Sequence, residues 1–310
     1  MALMGRLTTE SRNEKSMTLD RMEIGEILRV INEEDKQVAI AVERALPAIE
    51  LAVERIVSAF KRGGRLLYIG AGTSGRMGVL DAAECVPTFG VSPQMVQAII
   101  AGGDIAMTRA VEEIEDDEER GAEELRQRTL TADDVVVGIA ASGRTPFVIG
   151  ALRYARAIGA YTVGQSCNAG GHMGEHADCM IETPVGPEVL TGSTRMKCAT
   201  AQKMVLNMLS TASFVRLGKT YENLMVDVVA TNIKLIERSK RIVMHATGAS
   251  FETAESYLDQ AGQDVKTAIV MLRSGADADA AREALAEREG NVREAIDYAH
   301  VIVSERRNKE

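Results

Sequence analysis

The sequence lacks tryptophan, and only 4% of its 310 residues are aromatic. It also lacks an apolar run long enough to cross a bilayer, and its first residues lack the apolar segment of a secretory signal peptide. Excess positive charge is absent as well, because the formal net charge is −9, which argues against nucleic acid or an anionic membrane as partner. The apolar fraction is ordinary, so these absences predict a globular cytoplasmic protein.

Cysteine is scarce, and the four cysteines show no paired spacing, which predicts reduced thiols. Four residues of metal-ligating type do lie close together: Cys167, His172, His176 and Cys179. Such residues can bind zinc, but their spacing matches no standard finger, and the glycines between them make the segment loose. We expect a surface loop here, and no metal ion or other cofactor.

The motif Gly-x-x-x-Ser-Gly-Arg occurs twice, each time after a short apolar run. The first copy spans Gly70–Arg76 and follows Arg65–Ile69; the second spans Gly138–Arg144 and follows Asp134–Val137. Each copy is predicted to join a strand to a helix, where backbone N–H groups and hydroxyls surround one point. The partial positive charge of a helix N-terminus makes such a point attractive to phosphate. The two copies therefore predict a sheet built around a phosphorylated small molecule.

Apolar periodicity predicts alternating strands and helices along the chain. Five strands are expected at 65–69, Val96–Ile100, Val135–Ala140, Tyr161–Ser166 and Cys179–Glu182. Helices are expected from Ile24 to Phe60 with a break at Pro47, from Ser74 to Cys85 with an end at Pro87, over an acidic stretch at 105–128, from Pro146 onward, and from Ser193 to Leu217. This alternation predicts an α/β fold with a doubly wound parallel sheet flanked by helices.

The last 70 residues contain a repeat with a period of 27. Five small or apolar positions recur between the copies: Ala254, Leu258, Val265, Ala268 and Ile269 return as Ala281, Leu285, Val292, Ala295 and Ile296. Each copy is predicted to be a helix, a turn at a glycine and a second helix. We expect an N-terminal arm and helix over 1–48, a phosphosugar-binding domain over 49–238 and a small helical domain over 239–310.

Three loops are expected at the carboxyl ends of the strands, where open α/β sheets bind ligands. Two are the repeated motifs, and the third is Gly186–Lys197, which opens the last long helix. Against the negative overall charge, an anionic ligand needs local cations, supplied by Arg76, Arg144, Arg195 and Lys197. The candidate binding residues are Thr73, Ser74, Arg76, Ser142, Gly143, Arg144, Thr145, Glu188, Ser193, Thr194 and Lys197. Nucleotides are disfavoured, because there is no Walker lysine and no acidic residue placed for a ribose.

A site of this kind also needs a proton carrier. Glu84 lies near the predicted end of a short helix among apolar neighbours, an environment that suits a general acid. The acidic run 112–119 offers Glu115 and Glu118 as candidates for a base, and helical periodicity does not choose between them.

On these motifs the chain resembles the N-acetylmuramic acid 6-phosphate etherase family of the sugar isomerase (SIS) domain superfamily. The resemblance rests on segments spread over nearly the whole chain: Leu7–Asp20, Ile31–Lys36, Gly70–Arg76, Asp81–Thr88, Ala110–Asp116, Gly138–Pro146, Ser166–Asn168, Leu190–Lys197, Ala201–Lys203 and Asn223–Asp227. Two departures lie beside the catalytic motifs: Cys198 follows Lys197, and Ala169 stands where the family usually has proline.

The resemblance implies a carbon–oxygen lyase that removes lactate from N-acetylmuramic acid 6-phosphate in amino sugar catabolism. It implies Glu84 as the acid, Glu115 as the second catalytic glutamate, a homodimer, and a ubiquitin-associated-like C-terminal domain. Two alternatives stay open: an aldose–ketose phosphosugar isomerase with Glu188 as proton carrier, and a non-catalytic sugar-phosphate sensor.

Overall fold

Five short apolar runs form one parallel sheet. A computed structural model describes residues 7–111, 113–228 and 233–307. The strands are β1 Leu66–Gly70, β2 Val96–Ile100, β3 Val135–Ile139, β4 Tyr161–Ser166 and β5 Cys179–Glu182. Their order is β2-β1-β3-β4-β5, and all neighbouring pairs are parallel. The chain reverses its direction of winding between β1 and β3, which is where such sheets bind ligands.

The helices lie in the chain as follows: α1 Ile24–Arg44, α2 Leu46–Lys61, α3 Gly72–Phe89, α4 Glu118–Gln127, α5 Pro146–Ile158, α6 Lys197–Arg216, α7 Ile233–Thr247, α8 Phe251–Gln260, α9 Val265–Ser274, α10 Ala278–Glu287 and α11 Val292–Arg307. A short hairpin, β6 Thr220–Tyr221 and β7 Leu224–Met225, lies between α6 and α7. Short 3-10 helices lie at Thr8–Glu10, Glu14–Ser16, Leu19–Arg21, Gly103–Met107 and His172–Glu175. The predicted break at Pro47 is confirmed, because this residue lies in the first turn of α2.

The sheet is covered on both faces. Every residue of β1 and of β3 is buried, as expected for parallel strands with helices on each side. Gly78 on α3 lies against Tyr68, whereas Val148 and Leu152 on α5 lie against Gly138. Tyr68 pairs with Val137, and Gly138 pairs with Ile69, so the two contacts are one residue out of step and face opposite sides. The doubly wound sheet predicted from the sequence is confirmed.

The chain divides into two compact units. The first contains Met1–Ala83 and Pro93–Ser210; the second contains Glu84–Ser92 and Thr211–Glu310. Both α3 and α6 therefore contribute residues to each unit. The three-part division at residues 48 and 238 stays a prediction.

Two predicted helices differ in the structure. Helix α3 continues through Pro87 to Phe89 instead of ending at Pro87. The acidic stretch predicted as one helix over 105–128 contains a 3-10 helix, an irregular segment and then α4, which begins only at Glu118. Asp117 accepts a hydrogen bond from the Arg120 N–H and so caps α4, which fixes the late start. Glu112 lies outside the described residues.

In the second unit, the 27-residue repeat forms two helix pairs, α8–α9 and α10–α11, as predicted. The repeated apolar positions are all buried in one cluster. The helix caps repeat with the same period, because Ser250 and Asp277 each cap the first helix of a pair. The ubiquitin-associated-like assignment stays a prediction.

Candidate functional site

A cavity of about 250 Å³ lies beyond the carboxyl ends of β1 and β3. The three predicted loops meet there, joined by the N-terminal arm and by one glutamate. The lining residues are Thr9, Glu10, Ala71, Gly72, Thr73, Ser74, Glu115, Ala141, Ser142, Thr145, Gly192 and Thr194. The cavity is thus rich in hydroxyls, carries two carboxylates and contains no cationic side chain among its lining residues.

Two helix N-termini open onto the cavity. Thr73 and Ser74 lie in the first turn of α3, and Thr145 is the residue before the first turn of α5. The Oγ of Ser74 accepts a hydrogen bond of 2.9 Å from Nε2 of Gln202, which fixes this hydroxyl in the wall. Unpaired N–H groups at helix N-termini favour an anion, so this wall is suited to a phosphate group.

Glu115 is held in the cavity by the start of α5, directly after the second motif. Thr145 Oγ1 donates to Glu115 Oε1 at 3.3 Å, and the Phe147 N–H donates to the Glu115 carbonyl at 3.0 Å. Glu118, the other candidate for a base, instead pairs with Arg153 at 2.7 Å. The geometry thus distinguishes two residues between which helical periodicity could not choose, because Glu115 lies on a loop and not on a helix.

The cations predicted to hold the phosphate do not line the cavity. Arg76 donates through Nε to the Ala106 carbonyl at 3.0 Å and through Nη2 to the Arg109 carbonyl at 3.0 Å. Arg144 has a buried Nε with no hydrogen-bond partner in the described part of the chain, and Arg195 is exposed. The first motif's arginine therefore fastens the loop that leads to Glu115.

Lys197, the fourth predicted cation, is 1% exposed and pairs with Glu34 of α1 at 2.6 Å. Lys15 and Asn13 of the arm donate to the same carboxylate at 2.9 and 2.8 Å. Burial would raise the pKa of Glu34, but the hydrogen bonds from Lys197, Lys15 and Asn13 outweigh it and hold that pKa at about 2. The Glu34 carboxylate therefore stays ionised at every pH near neutrality.

Glu188 is fully buried and caps α6. Its two carboxylate oxygens accept the backbone N–H groups of Lys197 at 3.0 Å and Cys198 at 2.9 Å. Neither Glu188 nor its candidate neighbour Ser193 is among the lining residues of the cavity. Gly143 is buried behind the lining residue Ser142 and adopts φ +68°.

Glu84 is exposed on α3 and belongs to the second unit. The helix continues for more than a turn beyond it, so the predicted position at the helix end is wrong. Its role as an acid stays a prediction.

The arm was the part of the cavity that sequence reasoning did not assign. Thr9 and Glu10 line the cavity although they lie about 60 residues from the first motif. The local signal in the sequence is that the arm is polar. Polarity alone does not indicate which part of the protein the arm contacts. Three residues of the arm, Leu7, Thr9 and Asn13, are buried.

The cysteines and histidines near residue 170 are dispersed. Cys167 Sγ lies against the Cys198 carbonyl, Cys179 Sγ against the Ala48 carbonyl, and His172 is exposed. Among the described residues, no group of three His, Cys, Asp or Glu side chains is arranged to hold a metal ion. Over the same residues, no helix combines the length and apolar character needed to span a membrane.

Comparison with known proteins identifies the family. Residues 48–156 match the glucokinase regulatory protein N-terminal SIS domain, and residues 118–212 match the SIS domain. The chain is 57% identical to N-acetylmuramic acid 6-phosphate etherase 2 of Lactiplantibacillus plantarum, over 94% of this chain and 98% of that protein. It is also 57% identical to N-acetylmuramic acid 6-phosphate etherase of Geobacillus thermodenitrificans, over 94% and 99%. The chain belongs to the N-acetylmuramic acid 6-phosphate etherase family. The resemblance stated from the sequence motifs is confirmed.

Proposed function

We propose that this protein cleaves the lactyl ether of N-acetylmuramic acid 6-phosphate to give N-acetylglucosamine 6-phosphate and D-lactate. One observation carries the proposal: Glu115 lies in a hydroxyl-lined cavity at two helix N-termini. A carboxylate beside a phosphate-binding wall is what elimination from a phosphorylated sugar needs. Membership of the etherase family supplies the identity of the sugar.

The reaction divides into elimination and hydration. In the open-chain aldehyde, the C2 proton lies α to a carbonyl, so the Glu115 carboxylate can remove it. The C3–O bond to lactate then breaks, and Glu84 gives a proton to the departing oxygen. Water adds to C3 of the unsaturated aldehyde and a proton returns to C2. Two carboxyl groups in opposite protonation states carry these steps without a change of oxidation state.

The hydroxyl-rich loops orient the substrate. Ser142 lies in the second motif loop, and Thr145, which directly follows the motif, donates to Glu115. A phosphate bound to this loop and to the N-terminus of α3 would fix C2 of the sugar relative to Glu115. Because binding energy is then used for positioning, the loops contribute orientation rather than proton transfer.

The hydrogen bonds of Glu188 argue against the rival phosphosugar isomerase. That alternative assigns proton transfer to Glu188, yet both oxygens of this carboxylate accept backbone N–H groups at the start of α6. A sensor without catalysis would not require Glu115 in the cavity. Both alternatives predict no release of lactate.

The test is incubation with N-acetylmuramic acid 6-phosphate and measurement of free D-lactate. Glu115→Gln should lower kcat by about 10²- to 10⁴-fold, because a general base is removed while size is kept. Glu113→Gln is the matched control, since Glu113 is exposed on the same segment and does not line the cavity. Reaction in D2O should place deuterium at C2 of the product. Lactate release at a normal rate by Glu115→Gln, or a product without deuterium at C2, would exclude this route.

We further propose that the protein works in the cytoplasm as a homodimer and binds neither nucleic acid nor membranes. The net charge of −9 and four buried free cysteines support the location and the excluded partners. Sedimentation at several concentrations tests the oligomeric state.

A further inference from the structure

The N-terminal arm is built into the first unit by polar contacts along its length. Ser16 Oγ donates to the Val189 carbonyl at 2.7 Å, and Asn13 Nδ2 donates to the Pro187 carbonyl at 3.1 Å. Asn13 and Lys15 also join the buried Glu34 cluster described above. These contacts fix the arm beside the loop that precedes α6 and supplies Gly192 and Thr194 to the cavity.

Asn168 attaches the start of the arm to the second motif loop. Its Oδ1 accepts from the Thr8 N–H and from Thr8 Oγ1, each at 2.9 Å. Its Nδ2 donates to Thr9 Oγ1 at 3.0 Å and to the Ala141 carbonyl at 2.9 Å. Asn168 is 3% exposed and uses both ends of its amide in this way. Thr9 and Ala141 both line the cavity. The hydrogen bonds of Asn168 to both residues therefore hold the arm at a fixed distance from the second motif loop.

The arm delivers a second carboxylate to the cavity. Glu10 is exposed, lines the same cavity as Glu115, and makes no side-chain hydrogen bond or ion pair with the described residues. Its Oε2 lies 3.7 Å from the position that a Cβ would occupy at Gly192. An ionised carboxylate only accepts hydrogen bonds. It repels a phosphate and the carboxylate of lactate, so the groups it suits are the hydroxyls and the amide N–H of an amino sugar.

We propose that the arm is a wall of the substrate site, in which Glu10 accepts a hydrogen bond from a hydroxyl or amide N–H of the bound sugar and Asn168 is the positioning residue. This inference rests on the proposed function for the identity of the sugar. It assigns Glu10 to recognition and leaves proton transfer to the other carboxylates.

The kinetic test compares two variants of Glu10. Loss of a hydrogen bond to a charged acceptor predicts that Glu10→Ala lowers kcat/KM by about 10- to 100-fold. Glu10→Gln keeps an acceptor of the same shape and should lose less. Glu14→Ala is the matched control, because Glu14 is an exposed carboxylate of the arm outside the cavity lining. Unchanged kinetics of Glu10→Ala would overturn the proposal, and so would an equal loss in Glu10→Gln, which would indicate proton transfer.

A binding measurement separates this inference from the proposed function. Calorimetry with N-acetylglucosamine 6-phosphate should show a Kd raised by about the same factor in Glu10→Ala and unchanged in Glu14→Ala. If the wild-type protein releases no lactate, the proposed function fails, while this titration still decides whether Glu10 contacts the sugar. An equal Kd in wild type and Glu10→Ala overturns the proposal whatever the lactate assay gives.

The positioning role of Asn168 is tested through the arm itself. Asn168→Ala should raise KM more than it lowers kcat, and trypsin should cut faster after Arg12, which is exposed on the arm. Thr9→Val removes one of the same hydrogen bonds from the arm side and serves if Asn168→Ala does not fold. Saturating N-acetylglucosamine 6-phosphate should slow the cut after Arg12 in the wild type. Unchanged cleavage after Arg12 in the folded variant, or no protection by the sugar, contradicts the arm as a wall of the site.

Discussion

The two copies of Gly-x-x-x-Ser-Gly-Arg share a sequence motif but differ in backbone structure. In the first copy, helix α3 begins inside the motif at Gly72. In the second copy, helix α5 begins only at Pro146, after the motif has ended. The glycine before the arginine is helical in the first copy and has φ +68° in the second, at Gly143.

The sheet register explains part of the difference. Gly70 begins the first copy and pairs with Ile139, whereas Gly138 begins the second copy and pairs with Ile69. The copies are therefore offset by one residue across the sheet, and a one-residue shift reverses the face toward which each position points. As a result, α3 and α5 leave toward opposite faces and their N-termini flank one cavity. The repeated motif thus builds two unlike walls of a single site.

The largest expected effect comes from the motif glycines. In Gly75→Ala, the new Cβ would lie 2.6 Å from Ile100 Cγ1 and 2.7 Å from the Gly70 carbonyl oxygen. Such overlap should lower the free energy of unfolding by about 3 kcal/mol. Gly143→Ala meets its nearest atom at 3.2 Å but needs φ +68°, which should cost about 1–2 kcal/mol. Urea titration of both variants measures the difference.

The control for these two variants is Gly25→Ala in α1. Its Cβ would meet only the Arg29 side chain at 3.8 Å, so the gain in helix propensity should stabilise the protein by about 1 kcal/mol. A larger loss of unfolding free energy in Gly143→Ala than in Gly75→Ala would contradict the view that close packing constrains the first copy and positive φ the second.

A second contrast separates the two arginines. Arg76→Ala frees the carbonyls of the loop that leads to Glu115, and a misplaced catalytic group can cost about 100-fold in kcat. Arg144→Ala releases no such loop in the described residues, so its effect should be smaller and should fall on KM. Steady-state kinetics with the ether substrate distinguishes the two.

Arg109→Ala is the matched control, because Arg109 contributes its carbonyl and not its side chain to the contact with Arg76. Arg76→Lys should recover little activity, since an ammonium cannot reproduce the fork of a guanidinium. If kcat is normal in Arg76→Ala, Arg76 does not position the loop.

The sequence predicted well those features that local pattern determines. The strand Val96–Ile100 and the strand Tyr161–Ser166 were predicted with their observed ends, because apolar runs bounded by turn residues mark them directly. The convergence of three loops followed from the parallel topology. The helix expected over 105–128 was wrong, since the cap at Asp117 restricts α4 to its last part.

The partners of polar side chains were not predictable in the same way. Lys197 and Glu34 are 163 positions apart, and Asn168 and Thr8 are 160 apart. No periodicity links residues so far apart in the sequence. The sequence therefore predicted Lys197 as a phosphate ligand and did not predict which part of the protein the arm contacts. The sequence shows which side chains can carry charge or form hydrogen bonds. Which of them pair with each other depends on the folded structure.

The smallest expected effect comes from Pro146, and it tests why α5 begins only after the second copy of the motif. Proline disfavours the helical region for the residue before it, and Thr145 before Pro146 has ψ 116°. Pro146→Ala removes that restriction and should lower the free energy of unfolding by about 0.5 kcal/mol, because the unfolded chain gains freedom. The backbone chemical shifts of Thr145 should then move toward helical values, so that α5 starts earlier, as α3 does. If Thr145 keeps its non-helical ψ in this variant, its hydrogen bond to Glu115 is what delays the start of α5. The difference between the copies is then caused by the contacts of the site and not by the proline.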